Sequence, residues 1–281
     1  MRMRSGFVSL VGRTNVGKSS LINAMCGRKV TIVSDKPQTT RTRVRAVLHR
    51  PDAQLVFVDT PGIHKPVSEL GRRVNATAVE AMREVDTTAL VVDATMTYGR
   101  GDQFVAKQLA MARSVVILNK IDATSHAKVA KQLSALAELD AAAYFPVSAK
   151  TGEGVRVLVD WLANHVPEGE AMYPADVVRE TPDTAWVAEL VREQLLWEMR
   201  EELPYSIATR VTEYEWPRIR CEIIVERESQ KGMVIGKGGA MLKHVGTAVR
   251  KQLADGAYLE LHVVVDDGWQ NRPDRIERLG Y

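Results

Sequence analysis

Up to about Asn164 the chain alternates two kinds of stretch. GFVSLVG, TALVVDA, SVVILNK and AAYFPVS are compact apolar runs with polar residues at their ends. Between them lie Glu69–Glu84, Gln103–Ala112 and Lys128–Glu138, where apolar residues recur at helical spacing. A strand covered on both faces reads as a continuous apolar run rather than an alternating one. The alternation therefore predicts βα units, with helices on both faces of a mostly parallel sheet. VRAVLHRPDAQLVFVDT breaks the rhythm. Two strand-like runs meet at Pro51-Asp52, which predicts a hairpin and one antiparallel strand, giving a mixed six-stranded sheet.

The pattern changes after residue 167. The stretch 168–182 carries Pro174, Pro182 and scattered acids and reads as a linker. From 183 a different order begins. Trp186, Val187, Leu190, Val191 and Trp197 mark an amphipathic helix, YSIATRVTEYE and RIRCEIIVER read as strands, and a glycine loop follows. A helix over about Met241–Leu253 and the strand YLELHVVV complete an α-β-β-α-α-β order. Residues 1–167 thus form an α/β domain and 183–281 a smaller α+β domain with a C-terminal tail.

Charge sharpens this division. Residues 1–179 hold 24 Lys and Arg against 17 Asp and Glu, whereas 180–281 hold 14 against 18. Within the acidic half, the span Lys231–Ala254 contains Lys231, Lys237, Lys243, Arg250 and Lys251 and no acid at all. A basic segment set in an acidic domain points to a polyanion; the alternative is a solvated helix face. Cys26 and Cys221 are far apart and neither lies in a CxxC. That argues against a disulfide framework or a zinc site, and for a reducing cytoplasm. No stretch approaches the length of a membrane span, and the N-terminus does not read as a signal peptide.

The chemistry-bearing residues lie at strand ends. GRTNVGKS, Gly12–Ser19, fits G-x-x-x-x-G-K-[ST] between a strand and a helix. In such a loop the backbone N–H groups of Gly12, Arg13, Thr14, Asn15, Val16 and Gly17 cradle phosphate at a helix N-terminus. Lys18 is placed for the β- and γ-phosphates and the Ser19 hydroxyl for Mg²⁺. VFVDTPG puts Asp59, Thr60, Pro61 and Gly62 at the end of an apolar strand. The Asp59 carboxylate can hold Mg²⁺ through water, and the Gly62 N–H can meet the γ-phosphate. Asn119, Lys120 and Asp122 close another strand. A carboxylate at Asp122 accepts both guanine N1–H and N2–H₂, which adenine does not offer, so the pattern selects GTP or GDP. Ser148, Ala149 and Lys150 end a further strand, where a backbone N–H can take guanine O6. Ligands of open α/β sheets bind at the carboxyl ends of the strands, where all four pieces fall.

In this order the motifs resemble translation-factor-type GTPases, and PQTTRTR, Pro37–Arg43, stands where such proteins keep the first switch loop. Thr40 is the expected Mg²⁺ hydroxyl, with Thr39 as the alternative. Many GTPases place a glutamine after DxxG to orient water, but here the position is Ile63. Slow intrinsic hydrolysis is expected. Asn15 is a candidate ligand for K⁺, which would stand in for an arginine finger; the alternative is a turn asparagine bonding locally.

VIGKGGAMLKH lacks a G-K-[ST] and has neither DxxG nor NKxD nearby. Its Gly236-Lys237-Gly238-Gly239 fits the GxxG that clamps about four nucleotides in KH domains. Lys231, Lys237 and Lys243 supply charge, Ile235 can floor a groove for bases, and the flanking order is that of a type II KH domain. The alternative is a purely structural helix–turn–helix. Taken together, GRTNVGKS, PQTTRTR, DTPGIHKP, NKID, SAK and VIGKGG are similar to the Era family of bacterial GTPases over nearly the whole chain. That resemblance implies binding near the 3′ end of small-subunit (16S) ribosomal RNA and a role in assembling the 30S subunit. It also implies loose attachment to the cytoplasmic face of the membrane; a cytoplasmic monomer is expected. The competing reading is a GTPase whose second domain is a protein-interaction module in signalling or cell-cycle control.

Overall fold

The computed structural model describes residues 3–62, 68–80 and 85–281. Ile63, and with it the question of the missing glutamine, lies outside the described residues, as do His64, Lys65 and Pro66 of DTPGIHKP. The chain divides into two compact units. One is Met1–Thr31, Thr40–Pro66 and Arg73–Glu180; the other is Ile32–Thr39, Val67–Arg72 and Thr181–Tyr281.

The first unit is built on β1 (Arg4–Val11), β2 (Val44–His49), β3 (Ala53–Asp59), β4 (Thr87–Asp93), β5 (Ser114–Asn119) and β6 (Ala143–Pro146). Its helices are α1 (Lys18–Cys26), α3 (Arg100–Ala106), α4 (His126–Ala137) and α5 (Val155–His165), while α2 (Glu69–Glu80) begins among the residues grouped with the second unit. The strands form one sheet in the order β2-β3-β1-β4-β5-β6. Only β2 runs antiparallel, paired with β3 from Val44↔Asp59 to His49↔Gln54. The Arg50 N–H donates to the Ala53 carbonyl at 2.8 Å and closes the turn at Pro51-Asp52. The continuous apolar runs of β3 and β5 are buried at every position, as double coverage requires. One core, with Leu10, Leu21, Phe57, Val91, Ile117 and Leu158, lies on one face. A second, with Val11, Leu90, Val92, Leu118 and Leu136, lies on the other. The order reverses around β1, so the crevice above its carboxyl end is the expected ligand position.

The proline-bearing stretch read as a linker is strapped to this unit. The Val47 N–H donates to the Val178 carbonyl at 3.0 Å, the Glu180 N–H to the Arg45 carbonyl at 3.0 Å, and buried Gln54 accepts the Met172 and Tyr173 N–H groups. Edge strand β2 thereby gains main-chain partners, which protects it from pairing with another chain.

The second unit has α6 (Asp183–Glu198), α7 (Leu203–Ser206), β7 (Ala208–Glu215), β8 (Arg218–Val225), α8 (Glu228–Ile235), α9 (Ala240–Arg250), β9 (Tyr258–Val265) and α10 (Pro273–Arg278). Its sheet, β7-β8-β9, is antiparallel then parallel. Val187, Leu190, Val191, Ile219, Cys221, Ile223, Val245 and Val249 form the core. Residues beyond β9 belong to the fold: Trp269 is fully buried and donates Nε1–H to the Ser206 carbonyl at 3.0 Å, and Ile276 of α10 is fully buried. No helix among the described residues is long and apolar enough to cross a membrane.

Candidate functional site

The loop between β1 and α1 turns sharply at Gly17, whose φ of +93° is a conformation only glycine adopts freely. Space imposes the same choice, since a Cβ at Gly17 would lie 2.4 Å from Asn119 Nδ2. A Cβ at Gly62 would likewise lie 2.7 Å from Thr14 Cα. The segment after β3 therefore rests directly on the phosphate-type loop, next to buried Thr60 and Pro61. The Thr60 hydroxyl donates to the Leu10 carbonyl at 2.7 Å and fixes that approach.

Lys18 points back under its own loop. Its ammonium donates to the Arg13 carbonyl at 3.0 Å and the Gly12 carbonyl at 3.3 Å. Burial pushes its pKa down from 10.5 to about 8, partly opposed by the Asp59 carboxylate. Ser19 Oγ donates to Asp59 Oδ2 at 2.7 Å, and Thr40 Oγ1 lies 3.1 Å from Ser19 Oγ and 3.2 Å from Asp59 Oδ2. Three hard oxygens, from the start of α1, the end of β3 and the loop between α1 and β2, thus converge. The two hydroxyls, 3.1 Å apart, are spaced as adjacent Mg²⁺ ligands, which stand about 2.9 Å apart on an octahedron with ~2.05 Å arms, and Asp59 accepts from both as an outer carboxylate. Thr39, the alternative to Thr40, is engaged elsewhere: its hydroxyl lies 2.6 Å from Ser34 Oγ and donates to the Lys36 carbonyl at 2.7 Å. Within the second unit, buried Arg192 donates Nη2–H to the Thr39 carbonyl, and Glu193 accepts the Val33 N–H at 2.9 Å.

The base-type motif is assembled from two strand ends. Asn119 is buried at the end of β5, donates Nδ2–H to the Val16 carbonyl at 3.0 Å and accepts the Ala149 N–H at 3.1 Å. One side chain thereby ties the phosphate loop, the end of β5 and the segment after β6 together. Fully buried Ser148 donates its hydroxyl to Asp122 Oδ1 at 2.6 Å, orienting an exposed carboxylate. Lys120 donates to the Asn15 carbonyl at 2.7 Å. Lys150 and Asn15 are exposed.

Two residues at this site stand outside every motif. Asp93 at the end of β4 pairs with Lys120 at 2.6 Å, and Lys120 and Thr95 hold its carboxyl below the usual carboxylate range against the opposing effect of burial. Asp102 of α3 is buried, accepts the Gly99 N–H at 3.1 Å and pairs with Arg13 at 3.4 Å. For Asp93 a sequence signal existed: it ends an apolar strand as Asp59 and Asn119 do. Asp102 carries no such signal.

The glycine loop of the second unit has different surroundings. Lys231 and Ile235 are half-buried on α8, while Lys237 and Lys243 are exposed. Gly236 packs closely on Met241, where a Cβ would meet Met241 Cβ at 2.8 Å. Gly238 has φ +59° and nothing within 4 Å of where its Cβ would be, and Gly239 is equally open. The loop is a bare backbone surface between two short helices, flanked by cations.

Residues 7–120 match the family described as 50S ribosome-binding GTPase, and residues 202–270 match the KH domain family. GTPase Era of Mycobacterium tuberculosis is 44% identical over 296 aligned residues, covering 99% of this chain and 98% of its own; that of Mycobacterium avium is 43% identical with 99% of each chain covered. The fold superposes on the crystal structure of an Era in complex with MgGDPNP and nucleotides 1506–1542 of 16S ribosomal RNA, with a TM-score of 0.95, 35% identity and 99% of both chains covered. A variant of Aquifex aeolicus Era bound to GDP.AlF4- gives a TM-score of 0.94 at 34% identity, again over 99% of both chains. The chain belongs to the Era family of GTPases.

Proposed function

We propose that this GTPase grips single-stranded RNA near the 3′ end of 16S ribosomal RNA through Gly236–Gly239, and that guanine nucleotide governs the grip during assembly of the small ribosomal subunit in the cytoplasm. The observation that carries the reading is the open glycine loop, with Gly238 and Gly239 unobstructed inside a segment that holds five cations and no acid. A backbone that can be approached so closely suits a sugar–phosphate strand. The similar Era held with nucleotides 1506–1542 supports the choice of RNA.

In the first unit, Gly12–Gly17 offer main-chain N–H groups to phosphate, and Lys18 supplies a desolvated ammonium that a phosphate would stabilise. Ser19 and Thr40 would hold Mg²⁺, with Asp59 orienting both hydroxyls. The ion would neutralise charge on the β- and γ-oxygens when bound. Gly62 brings its N–H beside Thr14, where a γ-phosphate can order it. Asp122, aimed by Ser148, selects guanine, while Asn119, Lys120, Ala149 and Lys150 build the floor around the base. Asn15, exposed at φ +62°, is the candidate for K⁺.

Thr39 and Thr40 are consecutive, yet Thr39 is grouped with the second unit and Thr40 with the first. Ordering Thr40 on a metal therefore pulls on a peptide whose neighbouring carbonyl is held by Arg192. By linkage, RNA must change nucleotide affinity by the factor that nucleotide changes RNA affinity. Filter binding of a 16S 3′-end oligonucleotide to the GDP and GDPNP forms tests this. Tighter binding in the GDPNP form is expected; equal affinities in both forms would refute the coupling.

A further inference from the structure

Asp93 belongs to no nucleotide motif, yet it is held as tightly as any residue of the site. It closes β4 with its side chain 9% exposed. Oδ1 accepts the Thr95 N–H at 2.8 Å and the Thr95 hydroxyl at 2.6 Å; Oδ2 accepts from Lys120 Nζ at 2.6 Å. The loop carrying it is pinned from behind, because Gln132 Nε2 donates to the Ala94 carbonyl at 2.6 Å and the Ala94 N–H to the Asn119 carbonyl at 2.8 Å. The carboxylate is a fixed point.

Lys120 needs such a point. Its ammonium is a compact charge on a flexible stem, which water competes for, and its side chain is 37% exposed. Its backbone sits at φ +66°, a conformation a non-glycine residue keeps only where its surroundings over-determine it. Besides Asp93, its ammonium reaches the Asn15 carbonyl of the phosphate loop at 2.7 Å. That backbone acceptor alone does not decide where a solvated ammonium rests, and a buried anion does.

We propose that Asp93 is a positioning residue for nucleotide retention: it clamps the Lys120 ammonium onto the Asn15 carbonyl and so locks the base-selecting end of β5 to the phosphate loop. The clamp joins the two halves of the site, so that neither base nor phosphate contacts loosen alone. The proposal rests on reading Asn119–Asp122 as the guanine-selecting motif. Its opponent is a local role, in which Asp93 merely shapes the turn through Thr95.

The test is release of a fluorescent GDP from wild type, Asp93→Asn, Lys120→Met, the double variant and Thr95→Val, by stopped flow in Mg²⁺. The Asp93→Asn change is isosteric and leaves a carbonyl oxygen to accept from Thr95, so the turn survives. A hydrogen bond between charged partners is worth roughly ten- to a hundredfold in an equilibrium. With the Asn15 carbonyl remaining, release from Asp93→Asn is expected about tenfold faster. The double variant should be no faster than Lys120→Met, and Thr95→Val should resemble wild type. Multiplying effects in the double variant, an unchanged rate in Asp93→Asn, or a Thr95→Val as fast as Asp93→Asn would overturn the clamp. Failure of wild type to retain GDP would instead remove the guanine-site reading beneath it.

Discussion

Burial of Lys18 should make nucleotide binding a proton-uptake reaction. With no phosphate against it, the ammonium is desolvated, and its pKa falls from 10.5 to about 8. The lowered value means that the unfolded chain holds more protons than the folded one between pH 8 and 10.5. The cost of burying the charge, about 3 kcal/mol at 1.36 kcal/mol per unit, is therefore full below pH 8 and fades as pH rises through that window. The phosphates of a bound nucleotide supply the missing counter-charge and return the pKa upward, so the complex keeps its proton where the free protein has lost it. Affinity then scales with the protonated fraction of free Lys18. That fraction is about nine-tenths at pH 7, a half at pH 8 and a tenth at pH 9, so GDP should bind about tenfold more weakly at pH 9 than at pH 7. Guanine itself sheds its N1 proton in alkaline solution, so the decisive measurement stays at or below pH 8.5. Isothermal titration calorimetry in two buffers of different ionisation enthalpy counts the protons taken up. About half a proton per GDP is expected at pH 8, rising with pH. Uptake below about a tenth of a proton across pH 7.5–8.5 would show Lys18 already charged before nucleotide arrives, and would refute the reasoning.

Gly238→Asp places a carboxylate in open space, in a backbone conformation that aspartate tolerates better than most residues. It should abolish RNA retention while leaving GDP affinity within about twofold; parallel loss of both would mean the fold itself had failed. Asp122→Asn keeps the bond from Ser148 but exchanges an acceptor for a donor. Preference should shift from guanosine to xanthosine nucleotide, read by competition, and continued guanosine preference would remove Asp122 from base selection. If Asn15 helps hold a monovalent cation, GTP turnover should be several-fold faster in K⁺ than in Na⁺; equal rates would exclude the ion from the mechanism.

The sequence was most legible where a local pattern carries its own reason. The unbroken apolar runs of β4 and β5 announce strands covered on both sides, and Pro51-Asp52 announces the one antiparallel neighbour. GRTNVGKS is readable because loop, helix start and phosphate chemistry lie in adjacent residues. Legibility ends where a bond spans the chain. Asp102 reaches Arg13 across 89 residues, and nothing beside either residue marks the pairing. The stretch 168–182 reads as a linker because its side chains are polar and proline-rich, yet its backbone bonds with β2 do not depend on side-chain type. The C-terminal tail hides its role similarly. Trp269 is buried in the second unit and donates to the Ser206 carbonyl of α7, and α7 is a single turn with no periodicity to read.

The two glycine loops use the same residue for opposite reasons. At Gly17 the missing side chain lets other parts of the protein close in, with Asn119 and Lys120 crowding the space a Cβ would take. Lys18 and Asn119 there are buried, and a phosphate that joins them leaves part of its water behind. Electrostatic contacts strengthen in such surroundings, which suits a small ligand held until hydrolysis changes it. At Gly238 the missing side chain leaves the backbone uncovered, and Lys237 and Lys243 stand in water. Contacts made there would be screened by salt, which suits the exchangeable grip proposed for a strand that offers many equivalent phosphates. If nucleotide governs the grip on RNA as proposed, a shielded loop would hold the signal and an open one the strand.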